Sequence, residues 1–428
     1  MIRAGWCALA AIVLLMPCPC RAETADEAYR RGVKALHERH YDQALDAFNE
    51  AIRLEPKKAV AYRERGAAYL VTDQLDKALA DYNQAIRLDA KDSYAYYNRG
   101  NLYLHKGAYE KAVADFSKTL RLDPKSVHAY HGRGICHARQ QKYHAALADL
   151  AEAIRLNPND PHLHSDHGAI YAEKGDYDKA IAAYSEALRL DPKLVQAQLN
   201  RAYAYHAKGD PDKSLADYDQ CIRLDPKDGR GYLGRGSMYF ARNDYDKALA
   251  DYNECLRLDP KDWRGYLARG DVYQEKNNYA KALADFNEAI RLDPKQIEAY
   301  AHRGELHKLK KQFDKALADW RTGIQLRPND ESCYNELAWL LATCPKTEVR
   351  DGKKAVKYAR KACELTKWQE PHSLDTLAGA YAEAGDFKAA VRWQTKAVDL
   401  AAKWSRKQKQ KMEARLALYK EGKPYREE

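Results

Sequence analysis

Apolar and polar residues along this chain fall into blocks with a helical period. Between Tyr232 and Arg242 apolar side chains return every three or four residues, and the same spacing runs through "KALADYNECLRL" (247–258). The polar stretch "NDYD" (243–246) separates the two blocks and predicts a turn, with an aspartate near the start of the second helix. "DPKD" then closes the second block, because proline cannot continue a helix. The pattern predicts two antiparallel helices joined by a short turn.

The pair recurs. A leucine followed two residues later by proline, mostly spelled "RLDPK", stands at Leu54, Leu122, Leu156, Leu190, Leu224, Leu258, Leu292 and Leu326. Leu88 marks the same place with Ala90 in place of the proline, and the period is 34 residues throughout. A fixed period of this size predicts a solenoid of stacked hairpins. Small residues return in register: Gly236, Ala248 and Cys255 in one unit, Gly66, Ala78 and Ala85 or Gly270, Ala282 and Ala289 in others. Glycine inside a helix costs about 1 kcal/mol relative to alanine, so its return predicts close approach of the paired helices. Tyr232, Tyr239, Tyr245 and Tyr252 are then expected to fill the layer between neighbouring hairpins.

In this order of aromatic, glycine, aromatic, two alanines and a proline, the chain resembles the tetratricopeptide repeat family. Nine regular units cover 25–330. A tenth (331–370) is stretched by "CPKTEVRDG", and an eleventh (371–404) carries Ala378, Gly385, Ala390 and Ala397. "KWSRKQKQKMEARLALYK" (403–420) predicts a more polar helix that caps the last apolar face, leaving 421–428 as a tail. The resemblance implies an all-α fold: a right-handed superhelical α-solenoid of antiparallel helix hairpins, with the first helices lining a concave groove. It leaves no room for a separate catalytic domain. No nucleophile with its base, phosphate loop or pocketed carboxylate pair stands out, so neither enzymatic activity nor a cofactor is expected.

Numbering each unit from its first residue, position 7 holds Arg31, Arg65, Arg99, Arg133, His167, Arg201, Arg235, Arg269 and Arg303, then Leu337 and Leu377. The family usually has an apolar residue there. A guanidinium keeps its charge and needs an acceptor. Position 23, at the same height on the second helix, holds Asp81, Asp115, Asp149, Asp217, Asp251, Asp285 and Asp319. Seven units have both residues; three have neither (His167 with Ala183, Leu337 with Tyr358, Leu377 with Trp393); only Arg31 with Ala47 breaks the rule. Pairing with the following unit instead leaves four mismatches, so a structural Arg–Asp ladder within hairpins is expected.

By the same resemblance, positions 2, 5, 9, 12 and 13 face the groove. The partner-binding candidates are Tyr94, Tyr97, Asn101, His128, His131, Arg139, Tyr203, Arg230, Leu233, Phe240, Arg264 and Leu267. Aromatic, arginine and apolar side chains together suit a protein interface. Family members that grip a C-terminal carboxylate use lysine, asparagine and arginine; here Asn98, Asn101 and Arg63 stand without the lysines, which argues against such a clamp. His128, His131 and His162 form a looser polar group, as groove lining or as a metal site.

The first 22 residues differ from the rest. "MIR", an apolar run of thirteen residues and "PCPCRA" predict a cleavable signal peptide, and hence a periplasmic or extracellular chain with no membrane span after cleavage. The net charge of +10, from 72 basic and 62 acidic residues, is spread along the chain and predicts no nucleic-acid partner. Six of the nine cysteines lie beyond residue 22 without zinc spacing, and Cys333 with Cys363 is the pair best placed for a disulfide. The functional expectation is a non-enzymatic scaffold binding a peptide or partner protein in the groove. The alternatives are a non-catalytic subunit of an envelope enzyme, or a metal- or glycan-binding envelope protein.

Overall fold

The computed structural model describes residues 23–401 and 404–427, so the expected signal peptide (1–22) lies outside the described residues. Among the described residues there are 23 α-helices. They run in hairpins: α1 (Ala25–His37) with α2 (Tyr41–Leu54), α3 (Ala59–Val71) with α4 (Leu75–Leu88), and α5 (Ser93–His105) with α6 (Tyr109–Leu122). Next come α7 (Val127–Arg139) with α8 (Tyr143–Leu156), α9 (Pro161–Glu173) with α10 (Tyr177–Leu190), and α11 (Val195–Lys208) with α12 (Pro211–Leu224). Then follow α13 (Gly229–Ala241) with α14 (Tyr245–Leu258), α15 (Trp263–Glu275) with α16 (Tyr279–Leu292), and α17 (Ile297–Leu309) with α18 (Phe313–Leu326). The series closes with α19 (Glu331–Thr343) and α20 (Gly352–Leu365), α21 (Pro371–Glu383) and α22 (Phe387–Leu400), and the single helix α23 (Arg406–Lys420). The contacts divide the chain into two compact bodies, one up to Ala197 and one from Gln198. Each is an α-solenoid in which a second helix packs on its own first helix and on the next.

The helix ends follow from local chemistry. Helix α13 begins at Gly229, three residues before the first periodic apolar residue, because Asp228 of "DPKD" caps it by accepting the Arg230 amide. The same tetrapeptide therefore ends one helix and starts the next. At the hairpin turn, position 15 is left-handed, as at Gly107 (φ 69°), Gln141 (φ 59°), Asn277 (φ 58°) and Lys311 (φ 56°). The insertion in the tenth unit is tied down. Arg350 donates to the Cys344 carbonyl at 2.9 Å and reaches Glu383 at 3.0 Å.

The recurring glycine has a specific neighbour. A Cβ on Gly270 would lie 2.5 Å from Cε1 of Phe286, the buried ring at position 24 of the partner helix. The second helix thus presses an aromatic ring against the first helix at the glycine. Tyr252 takes this place against Gly236, inside a hairpin rather than between hairpins. Tyr232 and Tyr239 instead stand on either side of Arg235, and Tyr245 lies beside Phe240. The tyrosines expected to share one layer therefore occupy three environments.

Candidate functional site: the face of the first helices

Consecutive first helices adjoin one another, α3 with α5 and α5 with α7 in the first body, α13 with α15 and α19 with α21 in the second. First helices that adjoin in this way share a face within each body, and the arginines of position 7 reach from them to the second helices. Nε and Nη2 of Arg65, Arg99, Arg133, Arg201, Arg235, Arg269 and Arg303 donate to both carboxylate oxygens of Asp81, Asp115, Asp149, Asp217, Asp251, Asp285 and Asp319, in that order. All distances are 2.6–2.9 Å. The aspartate side chains are only 7–9% exposed, so each carboxylate depends on its arginine for solvation.

The third nitrogen reaches the other way. Nη1 of Arg65, Arg99, Arg133, Arg235, Arg269 and Arg303 donates to Asn49, Asn83, Ser117, Asp219, Asn253 and Asn287, each sixteen residues earlier on the preceding second helix. Each of these arginines therefore joins three helices, and tyrosines of its own helix flank the guanidinium: Tyr266 at 5.5 Å and Tyr273 at 6.0 Å for Arg269. The hydrogen bonds to Asp285 hold the Arg269 pKa above its ordinary value against the opposing effect of burial. Such a group neither takes up nor releases protons. Sequence reasoning missed the position-25 acceptors, although self-alignment contains them: Ala151 and Arg321 stand there just before His167 and Leu337.

The exceptions have their own solutions. Arg31 reaches Glu23 at 3.1 Å. The His167 ring leans at a tilt on Tyr171, 4.8 Å between centroids, and burial, with a smaller contribution from His164, pushes its pKa down. Leu337 and Leu377 are fully buried in apolar packing.

The groove candidates divide by exposure. Tyr94 is 66% and Tyr203 57% exposed. Tyr94 carries the Arg63 guanidinium at 5.5 Å, and Arg63 is itself bonded to Asp92 at 2.7 Å. His128 and Arg139 are exposed and Asn101 is half-buried. Leu233 and Phe240 are partly withdrawn into the packing around Tyr252, and Leu267 into that around Phe286, so much of their apolar surface is already used. Tyr97 likewise leans on Phe116 at 6.0 Å. Arg230 and Arg264 fold back on their own capping aspartates, at 2.7 Å to Asp228 and 2.8 Å to Asp262.

Of the three grouped histidines, His131 places Nε2 2.7 Å from Asp166, while His162 is exposed at the start of α9. Among the described residues no three His, Cys, Asp or Glu side chains gather as a metal site. The six cysteines beyond residue 22 are all buried free thiols. Cys333 and Cys363 are therefore unbridged: Cys363 Sγ lies 3.3 Å from the Ser373 carbonyl, and burial pushes both thiols up to about 12.

One cleft had no sequence signal. Between α17 and α19 a space of ≈ 310 Å³ is lined by Glu298, His302, Glu305, Trp320 and Glu336, among others. His302 Nδ1 lies 2.5 Å from Asp271 Oδ1. Burial works to lower the His302 pKa, but the Asp271 contact and charge outweigh it and raise the pKa overall.

Models of the TPR and tetratricopeptide repeats match residues 72–107, 93–126, 127–160, 168–209, 199–262 and 236–307, together more than half of the chain. No curated protein matches significantly. Among solved structures, yeast Tom70 is similar at TM-score 0.50 and 18% identity, covering 92% of this chain and 95% of that one. The Cut9–Hcn1 assembly of APC/C gives TM-score 0.51 and 12% identity, over 92% and 96% of the two chains. A tetratricopeptide repeat protein from Parabacteroides merdae gives 0.50 and 21%, over 57% and 97%. At these identities the likeness is one of fold.

Proposed function

The chain belongs to the tetratricopeptide repeat family, and on that premise we propose that it is a non-enzymatic scaffold whose first-helix face binds an extended peptide or partner protein. Tetratricopeptide repeats indicate protein–protein interaction. One observation carries the reading to this face. The exposed large apolar residues fall into two sets: Leu54, Leu326 and Leu400 at the ends of second helices, and Val71, Tyr94, Tyr203 and Leu309 at positions 2, 9 and 13 of first helices. Large apolar side chains left in water on the first helices of each body are anchors awaiting a partner. Export is part of this proposal, supported by the apolar stretch near the N-terminus, and with it a partner in the envelope or outside the cell. No helix among the described residues is long and apolar enough to cross a membrane.

The test is capture from the native envelope fraction by the immobilised chain, with partners identified by mass spectrometry. Replacing Tyr94 and Tyr203 by alanine should weaken capture of the principal partner at least tenfold, the effect of losing an aromatic anchor. Undiminished capture by the double variant would remove the first-helix face from the account.

A further inference from the structure

The stretch after α23 engages the first-helix face itself. Gly422 (φ 72°) ends α23, and the Lys423 amide returns to the Leu418 carbonyl at 2.9 Å, a left-handed cap that turns the chain back. Residues 424–427 then run without helix across three first helices. The Tyr425 ring lies 5.8 Å from Trp339, with the Arg415 guanidinium close to both rings. Arg426 Nη2 meets Glu383 at 2.6 Å. The Glu427 carboxylate accepts the Trp339 indole N–H at 3.1 Å and has Lys308 Nζ at 3.9 Å. Its amide donates to the Thr343 carbonyl at 2.9 Å, an acceptor that the end of α19 leaves open.

The places contacted are informative. Lys308 is position 12 of its unit, Trp339 position 9, and Thr343 and Glu383 position 13. These are groove positions, and they meet an aromatic, a cation and an anion in sequence with complementary chemistry. The segment is thus held as a ligand would be, by side-chain pairs and a main-chain bond.

We propose that residues 423–427 are a resident ligand of the face built by α17, α19 and α21, and that this face is a binding site for a partner segment with the order aromatic, basic, acidic, which displaces the resident one. The inference rests on the first-helix face being the interaction surface and adds its chemistry. Tethering gives the resident segment an effective concentration on the order of 1 mM. A free peptide with an intrinsic Kd of about 0.1 mM is therefore opposed roughly tenfold.

The probe is the capped, fluorescently labelled peptide Lys-Pro-Tyr-Arg-Glu, titrated by polarisation against the full chain and against the Tyr425→Ala, Arg426→Ala, Glu427→Ala triple variant. The triple variant is expected to bind the peptide about tenfold tighter than the parent, and adding Glu383→Gln should cancel most of that gain. A melting temperature on each variant separates binding from folding. Equal affinity for parent and triple variant, or a lower melting temperature with no gain in peptide binding, would reduce the segment to a C-terminal cap and overturn the proposal. A null result here beside Tyr94-dependent capture fails this inference alone; capture independent of Tyr94 and Tyr203 fails the broader reading.

Discussion

At the scale of residues, the ladder was legible because both partners return at one spacing and, except in the first unit, vanish together. The hydrogen bonds to the preceding unit use the same logic with a third, more variable residue type: asparagine, serine or aspartate. Asp285→Leu leaves the Arg269 cation without its bidentate partner in a mostly buried place and should cost about 3 kcal/mol of unfolding free energy in urea. Adding Arg269→Met should return stability to within about 1 kcal/mol of the parent, because apolar pairs replace buried ion pairs well. Simple additivity of the two losses would mean that the pair is not coupled. His302 supplies a test in pH. Its folded pKa lies above the unfolded value of about 6.5, so its contribution to stability is complete below that value. The contribution is lost as pH rises through the folded pKa. In Asp271→Asn, burial still works to lower the pKa while only the charges of Glu305 and Glu298 remain to raise it, so the imidazole NMR titration should move downward from that of the parent. An unchanged titration would show that Asp271 does not hold the proton.

At the scale of elements, the hairpin was legible and its start was not. The apolar period begins at Tyr232, yet the helix begins at Gly229, because a capping aspartate and not the first apolar residue decides the start. The turn is set by one left-handed position, which the chain fills with glycine in some units and with other residues elsewhere. Lysine in that conformation costs about 1–2 kcal/mol that glycine avoids, less what glycine loses in chain entropy. Lys311→Gly should therefore raise the melting temperature, and Asn277→Gly should change it less, since asparagine tolerates the left-handed region. A melting temperature lowered by Lys311→Gly would show that the lysine side chain contributes more than its backbone costs.

At the scale of the molecule, the periodic part of the chain announces itself and the parts that occur once do not. The Asp375 carboxylate held by Arg415 at 2.6 Å, the acidic cleft beside His302 and the docking of residues 425–427 each depend on a combination of residues that no other unit repeats. Self-alignment has nothing to compare them with. Specificity is written in the same unrepeated residues, and so was the least readable. The arginine that joins three helices has a different consequence. A unit with arginine at position 7, aspartate at 23 and a polar acceptor at 25 offers at its end what it requires at its beginning. Copies of such a unit joined head to tail complete every bond across the new seam without any compensating change. The array can therefore grow by duplication of whole 34-residue modules, whereas a copied half-module would strand a charge.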